Sequence, residues 1–265
     1  MHPILLQIGP FRLATYGVIV ALGYLAGILW LNSRHEKMGF DEKSFWGLIY
    51  AMFFGAVLGG KLLYWGVEWR ALLSGALHPI RDFRYGFVFM GGFMGSALGA
   101  WLYGRKNPFP YLKVGDYFGV AMPLGHTIGR LACIFAGCCM GSPTSLPWGV
   151  SLSDPTSLVD PRYLGVPLHP SPVYESAANA AIAALMLLRL KKVEAGKAAQ
   201  GSVLLGYLAL YGLARFILEF FRGDDRGGFT LGLSVSQWIC LAWLAAGLCG
   251  LLALRRRSRT ARRIE

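Results

Sequence analysis

GHTIGRLACIFAGCCMG, residues 125–141, sets the guanidinium of Arg130 in the middle of an apolar run. An arginine at bilayer depth costs from about 3 to more than 10 kcal/mol, depending on how far it snorkels or draws in water. Such a residue faces a protein interior or a wet cavity and pairs with something anionic. The oddity recurs at Arg215 in LYGLARFILEFFRGDDR (210–226), with Glu219 one helical turn later. Two such arginines predict a binding site for a phosphate or carboxylate inside the membrane.

The rest of the chain fits that reading. Its 265 residues are 55% hydrophobic and only 15% charged, where a soluble domain carries roughly a quarter charged residues. Seven apolar segments, near 13–32, 46–66, 86–104, 116–138, 172–188, 202–221 and 233–254, are long enough to cross about 30 Å of hydrocarbon as helices. Glycines inside several of them (Gly55, Gly59, Gly60; Gly91, Gly92, Gly95, Gly99) suit close helix packing in lipid. The runs are continuous and do not alternate with period two, which argues against a β-barrel. We therefore expect an all-α integral membrane protein of about seven transmembrane helices, forming one domain over 1–265. With Pro3 and Pro10 and no charged start before an apolar core, the first twelve residues do not read as a cleavable signal.

A net charge of +12 invites a nucleic-acid reading, but its distribution points elsewhere. With the N-terminus outside, the inner segments (34–43, 105–113, 189–200 and the tail 255–265) hold 16 of the 26 Lys and Arg, and the outer segments hold 7. Lys61, Arg130 and Arg215 lie within spans. This is the positive-inside asymmetry, so the basic excess reports topology: N-terminus outside, C-terminus cytoplasmic, no nucleic-acid partner. The tail RRRSRTARR also suits an anionic cytoplasmic leaflet. Of the outer segments, 67–85 reads as an amphipathic interfacial stretch, and 141–171 as a Pro- and Ser-rich loop with Trp148 and Tyr163 as interface anchors. The absence of a strong internal repeat weighs against a transporter built from duplicated halves.

Helical spacing groups the chemistry-bearing residues. His126, Arg130 and Cys133 share a face, with Gly129 and Gly137 clearing space beside it, Cys138 and Cys139 ending the helix and Gly141 turning the chain. They read either as a cavity wall offering a guanidinium, an imidazole and thiols, or as a snorkelling arginine among small packing residues. Tyr211, Arg215, Glu219 and Arg222 form a second face. Glu219 there pairs with Arg215 or Arg222, either to hold its fork for a phosphate or as a structural ion pair. In HPSPVYE (169–175), Ser171 is placed to cap a helix with Pro172 at its first position. His169 and Tyr174 stand at that entrance, and Glu175 reads equally as exposed or functional. Tyr16 reads as a belt tyrosine or a site residue. Cys240 and Cys249 read as small apolar packing groups. Cys133, Cys138 and Cys139 lack a fourth ligand at zinc-site spacing, with only His126 near, so no metal and no cofactor are expected.

These motifs, in this order, resemble the bacterial prolipoprotein diacylglyceryl transferases nearly end to end. The shared elements are TYG (15–17), the glycine pair of VFMGGFMG (88–95), Gly129-Arg130 before a Gly-rich helix end, HPSPVYE against the family's HP[ST]QLYE, and YGLARFILEFFR (211–222) against YGxxRFxxExxR. The resemblance implies a multi-pass protein of the bacterial inner membrane. Its implied activity moves diacylglyceryl from phosphatidylglycerol to the lipobox cysteine of a prolipoprotein and releases glycerol phosphate. It matches Arg130 and Arg215 to the family's two essential arginines, and Tyr16, Gly141, Tyr211, Glu219 and Arg222 to other positions around the lipid. The chain also departs from the pattern. Met90 stands where the family has a histidine, and GRxxNFxNxExxG reads GRLACIFAGCCMG, with Cys133, Ala136 and Cys138 replacing two Asn and a Glu. His126 and His169 are the nearby imidazoles that could substitute. Beside Arg130, Cys138 or Cys139 reads as a nucleophile or transient acceptor, or as a gap-filling residue. Alternative readings are a phospholipid-binding or transport protein, or a relative with another acceptor.

Overall fold

Long apolar runs satisfy their backbone groups internally only as helices, and helices make up most of this chain. The structure, a computed structural model, describes residues 4–9, 11–83, 86–154, 157–223 and 229–264, with backbone only for 8, 11, 12, 229, 230 and 258–264. A hairpin of β1 (Ile4–Ile8) and β2 (Phe11–Ala14) precedes α1 (Thr15–Asn32). Then come α2 (His35–Met38), α3 (Glu42–Val67), α4 (Trp69–Leu73), α5 (Phe89–Lys106) and α6 (Tyr111–Ala136). Two-residue strands β3 (Val150–Ser151) and β4 (Pro167–Leu168) pair in the long loop before α7 (Ser171–Glu194). The chain continues through α8 (Ser202–Leu218), a single 3-10 turn (Glu219–Phe221), the β5 (Phe229–Thr230) and β6 (Leu233–Ser234) hairpin, and α9 (Val235–Ile264).

Six of these helices, α1, α3, α6, α7, α8 (with the 3-10 turn) and α9, are long and apolar enough to cross a membrane. The predicted seventh span, 86–104, is the helix α5, about 27 Å long at 1.5 Å per residue. Its glycines and the closing Arg105-Lys106 pair dilute its apolar residues. Large apolar side chains such as Leu22, Phe53, Phe54 and Leu58 point outward from the helices, as lipid-facing surfaces require. The protein is an all-α, multi-pass integral membrane protein. The basic tail from 255 is not a loose extension but continues α9 as helix to Ile264.

The chain divides into two compact units, Arg34–Pro110 and the remainder. In the first, α3 packs on α5 through glycines. A Cβ on Gly55 would meet the Gly95 carbonyl oxygen, and one on Gly59 that of Gly91. Backbones approach this closely only where side chains are missing, which is how helices associate without a hydrophobic drive in lipid. Lys61 is buried here, but its Nζ donates to the Gly86 carbonyl at 2.7 Å and lies 4.8 Å from the Phe83 ring centroid. The predicted interfacial stretch 67–85 contains one short helix, α4, whose Trp69 and Leu73 are exposed, while its residues 84 and 85 lie outside the described residues.

In the second unit α6 is central, packing against α1, α7 and α8, while α8 also packs on α7 and α9. Asp116 on α6 is fully buried and closes the N-terminus of α8. Its carboxylate accepts from the backbone N–H groups of Gly201 (2.7 Å), Val203 (2.8 Å) and Leu204 (3.1 Å). Helix N-termini leave four donors unsatisfied, and an anion also meets the positive end of the dipole. Asp116→Ala should cost about 1.5–3 kcal/mol, read as a lower unfolding midpoint in detergent. An unchanged midpoint would show that water satisfies those donors.

Candidate active site

The end of α6, the start of α7 and the end of α8 lie together, and each brings one charged group inward. Glu175, at the start of the second turn of α7, is only 2% exposed and receives all three arginines. Arg130 Nε lies 2.7 Å from Oε2, Arg222 Nη1 lies 2.8 Å from Oε1, and Arg215 Nη1 lies 3.8 Å from Oε1. Arg215 Nη2 also meets Glu219 Oε2 at 2.7 Å, one turn along its own helix, and Ser234 Oγ donates to Glu219 Oε1 at 3.2 Å. Glu175 is therefore buried at the hub, which rules out the exposed one of the two readings left open for it. Sequence spacing missed it because an acidic residue just after His-Pro-Ser-Pro looks like a helix entrance in water. Of the two pairings open to Glu219 the structure has the one with Arg215, while Arg222, just past the 3-10 turn, pairs with Glu175.

Three guanidiniums against two carboxylates leave the cluster at a formal charge of +1. They also leave donors in excess, since three arginines carry roughly fifteen N–H groups. Arg215 Nη1 is buried without a hydrogen bond, and Arg130 Nε faces Glu175 Oε2 closely without hydrogen-bond alignment. Buried donors of this kind are unusual unless something else accepts from them. Glu175 Oε2 and Glu219 Oε2 are likewise buried without an aligned hydrogen bond, so the cluster is held together by charge more than by directed bonds.

The supporting residues follow from the loops. Gly137 (φ +67°), not Gly141, makes the turn that ends α6 one residue after Ala136. Cys138 and Cys139 thus lie past the helix. Gly141 instead lies in a crowded crossing. Its N–H donates to the His169 carbonyl at 2.8 Å, it bridges to Arg222, and the N–H of Ser142 donates to the Phe221 carbonyl. A Cβ on Gly141 would meet that same Phe221 oxygen and come within 2.6 Å of both His169 Cβ and Ser171 Oγ. Gly141→Ala must push the Arg222 strand away from α7. Expected is a loss of about 1–3 kcal/mol, read as a lower unfolding midpoint in detergent; an unchanged midpoint would show that the crossing yields without cost.

Ser171 makes no side-chain cap to α7, so the expected N-cap is corrected, and Pro172 sits in the first turn. His169 Nδ1 lies 3.3 Å from the Tyr174 hydroxyl, which also accepts from Trp148 Nε1 at 2.7 Å, and the His169 ring packs edge-on to Phe221. These contacts place His169 at the loop crossing. Trp148 is more than half exposed, as an interface anchor would be, whereas Tyr163 packs against a small core of Met140, Leu152 and Leu168 that gives the long loop its own fold. Residues 224–227 of the GDDRG stretch lie outside the described residues.

On α6 and α8, His126 stacks on Tyr211 with ring centroids 5.5 Å apart, in electrostatic reach of Arg130, Glu175 and Arg215. Tyr16, near the start of α1 and 45% exposed, lies in electrostatic reach of Arg130 and the three nearby cysteines. Those cysteines converge more closely than their spacing suggested: the Sγ atoms of Cys133, Cys138 and Cys139 all lie within 4.8 Å of one another. Cys139 adopts φ +60°, a conformation that costs a non-glycine residue on the order of 1 kcal/mol. Hydrogen bonding to Cys133 and Cys138, and then to Arg222, holds the Cys139 thiol below its ordinary pKa, while hydrogen bonding to Cys133 and Cys139, and then burial, push the Cys138 thiol up. Cys240 is buried and Cys249 exposed, on opposite faces of α9.

A family model described as "Prolipoprotein diacylglyceryl transferase" matches residues 3–253. The chain belongs to the prolipoprotein diacylglyceryl transferase family. It is 34% identical to a phosphatidylglycerol–prolipoprotein diacylglyceryl transferase of Clostridium tetani over 94% of this chain and 96% of the relative. It is 33% identical to the protein so named in Methylocella silvestris, covering 94% and 92%, and 31% identical to "transferase 2" of Clostridium perfringens, covering 94% and 93%. The chain brings the last residue of HPSPVYE, Glu175, to the centre of the arginine cluster. Where the family pattern has a Glu and an Asn, it places two of the three converging thiols. Met90, at the histidine position of the pattern, lies in the first turn of α5, in the other unit.

Proposed function

We propose that the protein moves the diacylglyceryl group of phosphatidylglycerol onto the lipobox cysteine thiol of a prolipoprotein, releasing glycerol phosphate. The observation that carries this reading is the buried +1 cluster of Arg130, Arg215, Arg222, Glu175 and Glu219, with donor capacity left over. The reaction begins with a phosphodiester bearing one negative charge and ends with a monoester that can bear two. Cationic donors fixed in a water-poor site bind the developing charge more strongly than the starting one, and that difference is catalysis. Glu175 and Glu219 hold the guanidinium forks in place, so little reorganisation is needed as charge develops. Arg130, Arg215 and Tyr211 are assigned to the phosphate and the reacting bond, with Tyr16, Gly141, Glu219 and Arg222 around the lipid. His169 is assigned to the approach, and His126 supports Tyr211.

The chain acts as one integral membrane domain of a bacterial inner membrane, N-terminus outside. The described loop residues 137–154, 157–170 and 219–223 beside the site then face outward, where a translocated prolipoprotein arrives, while the basic residues of α9 meet the cytoplasmic leaflet. Nucleic acid has no part in it. The experiment is turnover of phosphatidylglycerol with a lipobox peptide, followed through released glycerol phosphate and peptide mass. Lipid that binds in an Arg130-dependent manner but never turns over would favour the lipid-binding reading instead.

A further inference from the structure

Three thiols converge beside the arginines from two different pieces of chain, the last turn of α6 (Cys133) and the loop beyond Gly137 (Cys138, Cys139). Simple gap-filling does not call for that arrangement. Zinc holds thiolate sulfur at about 2.3 Å, so three sulfurs sharing one ion stand about 4 Å apart. The Sγ atoms here all fall within 4.8 Å of one another, so a shift of less than an ångström closes the site. Charge also fits. A divalent ion with three thiolates carries −1, which offsets the +1 left on the adjoining cluster. Cys133 is buried, whereas Cys138 and Cys139 are half-buried, so one side of the triad remains accessible. Three protein ligands with an open fourth position is the pattern of catalytic zinc sites, in contrast to closed structural ones.

We propose that Cys133, Cys138 and Cys139 form a three-thiolate site for a thiophilic divalent cation, zinc being the reference case, and that its fourth position takes the acceptor cysteine thiol. The second half rests on the transferase reading; the first does not. On coordination the acceptor S–H loses its proton to solvent, because a metal-bound thiol is deprotonated. Its sulfur then forms a bond to the glyceryl carbon, and the C–O bond to phosphate breaks with its electron pair leaving on the phosphate oxygen. The glycerol phosphate released takes up a proton as its solution pH dictates. No oxidant or reductant enters. This supplies a thiolate where the family pattern's histidine is Met90 and its carboxylate is Cys138.

The test uses full-length protein in detergent in a Cys240→Ser/Cys249→Ser background, which leaves the triad as the only thiols. Metal-stripped protein is titrated with Co²⁺ and Zn²⁺. Expected are one ion per chain, a sulfur-to-cobalt charge-transfer band, and at least a tenfold weaker affinity in both Cys138→Ser and Cys139→Ser, each with an unchanged unfolding midpoint. A lipobox peptide should alter the cobalt ligand-field spectrum, and its Cys→Ser counterpart should not. Absence of saturable binding, a band surviving in the Cys133→Ser/Cys138→Ser/Cys139→Ser variant, or a disulfide within the triad found by mass analysis would each overturn the site. Full turnover by metal-free protein would overturn the acceptor role while leaving the transferase reading standing. A site that binds ion and peptide thiol but releases no glycerol phosphate would keep the site and reject the transferase reading.

Discussion

Glu175→Ala should unfold the site before it disables any chemistry. Three guanidiniums converge on this one carboxylate at 2.7, 2.8 and 3.8 Å, in a pocket where Glu175 itself is 2% exposed. Removing it converts a +1 cluster to +2, in which Glu219, paired with Arg215, is the remaining carboxylate of the five. Breaking a buried ion pair by deleting one side costs about 3–5 kcal/mol, because charge is left stranded away from water. We expect a loss of that size in detergent unfolding, together with loss of lipid turnover. Glu175→Gln, which keeps volume and hydrogen bonding but not charge, should fall between alanine and the parent in stability. If both variants unfold like the parent, the hub is not where the energy lies, and water or lipid already compensates the arginines.

Arg130→Lys and Arg215→Lys should each reduce kcat by about 10²- to 10³-fold, the usual effect of removing one preorganised donor from a developing oxyanion. Lysine preserves charge but loses the planar fork that contacts a carboxylate and a phosphate at once. Ground-state affinity for phosphatidylglycerol should change less, since charge persists and the bidentate contact matters most as the second phosphate charge appears. The measurements are kcat and lipid Kd for each variant. Equal losses in kcat and Kd would make the arginines anchors for the headgroup with no preference for the transition state.

Arg130 and Arg215 stood out in the sequence because a charge in an apolar run has a cost that must be offset. The helices were equally legible, with six spans and α5 near their expected places. Facing was not. A helix in lipid is apolar on all sides, so its pattern does not separate core from lipid, and Glu175 could not be placed by period. Asp116 went unread for another reason: the donors it satisfies lie 85–88 residues away, in α8. The convergence of Cys133 with Cys138 and Cys139 depended on the turn at Gly137. Shifting the helix end by two residues moves both thiols off the α6 face and back toward Cys133.

The measurement that bears most directly on the account is turnover by the purified protein, given phosphatidylglycerol and a lipobox peptide. Expected are one glycerol phosphate released per peptide lipidated, a thioether-linked diacylglyceryl on the peptide cysteine, and collapse of both in Arg130→Lys. Phosphatidylglycerol bound at the arginine cluster with no glycerol phosphate released, under conditions where another family member turns over, would contradict it.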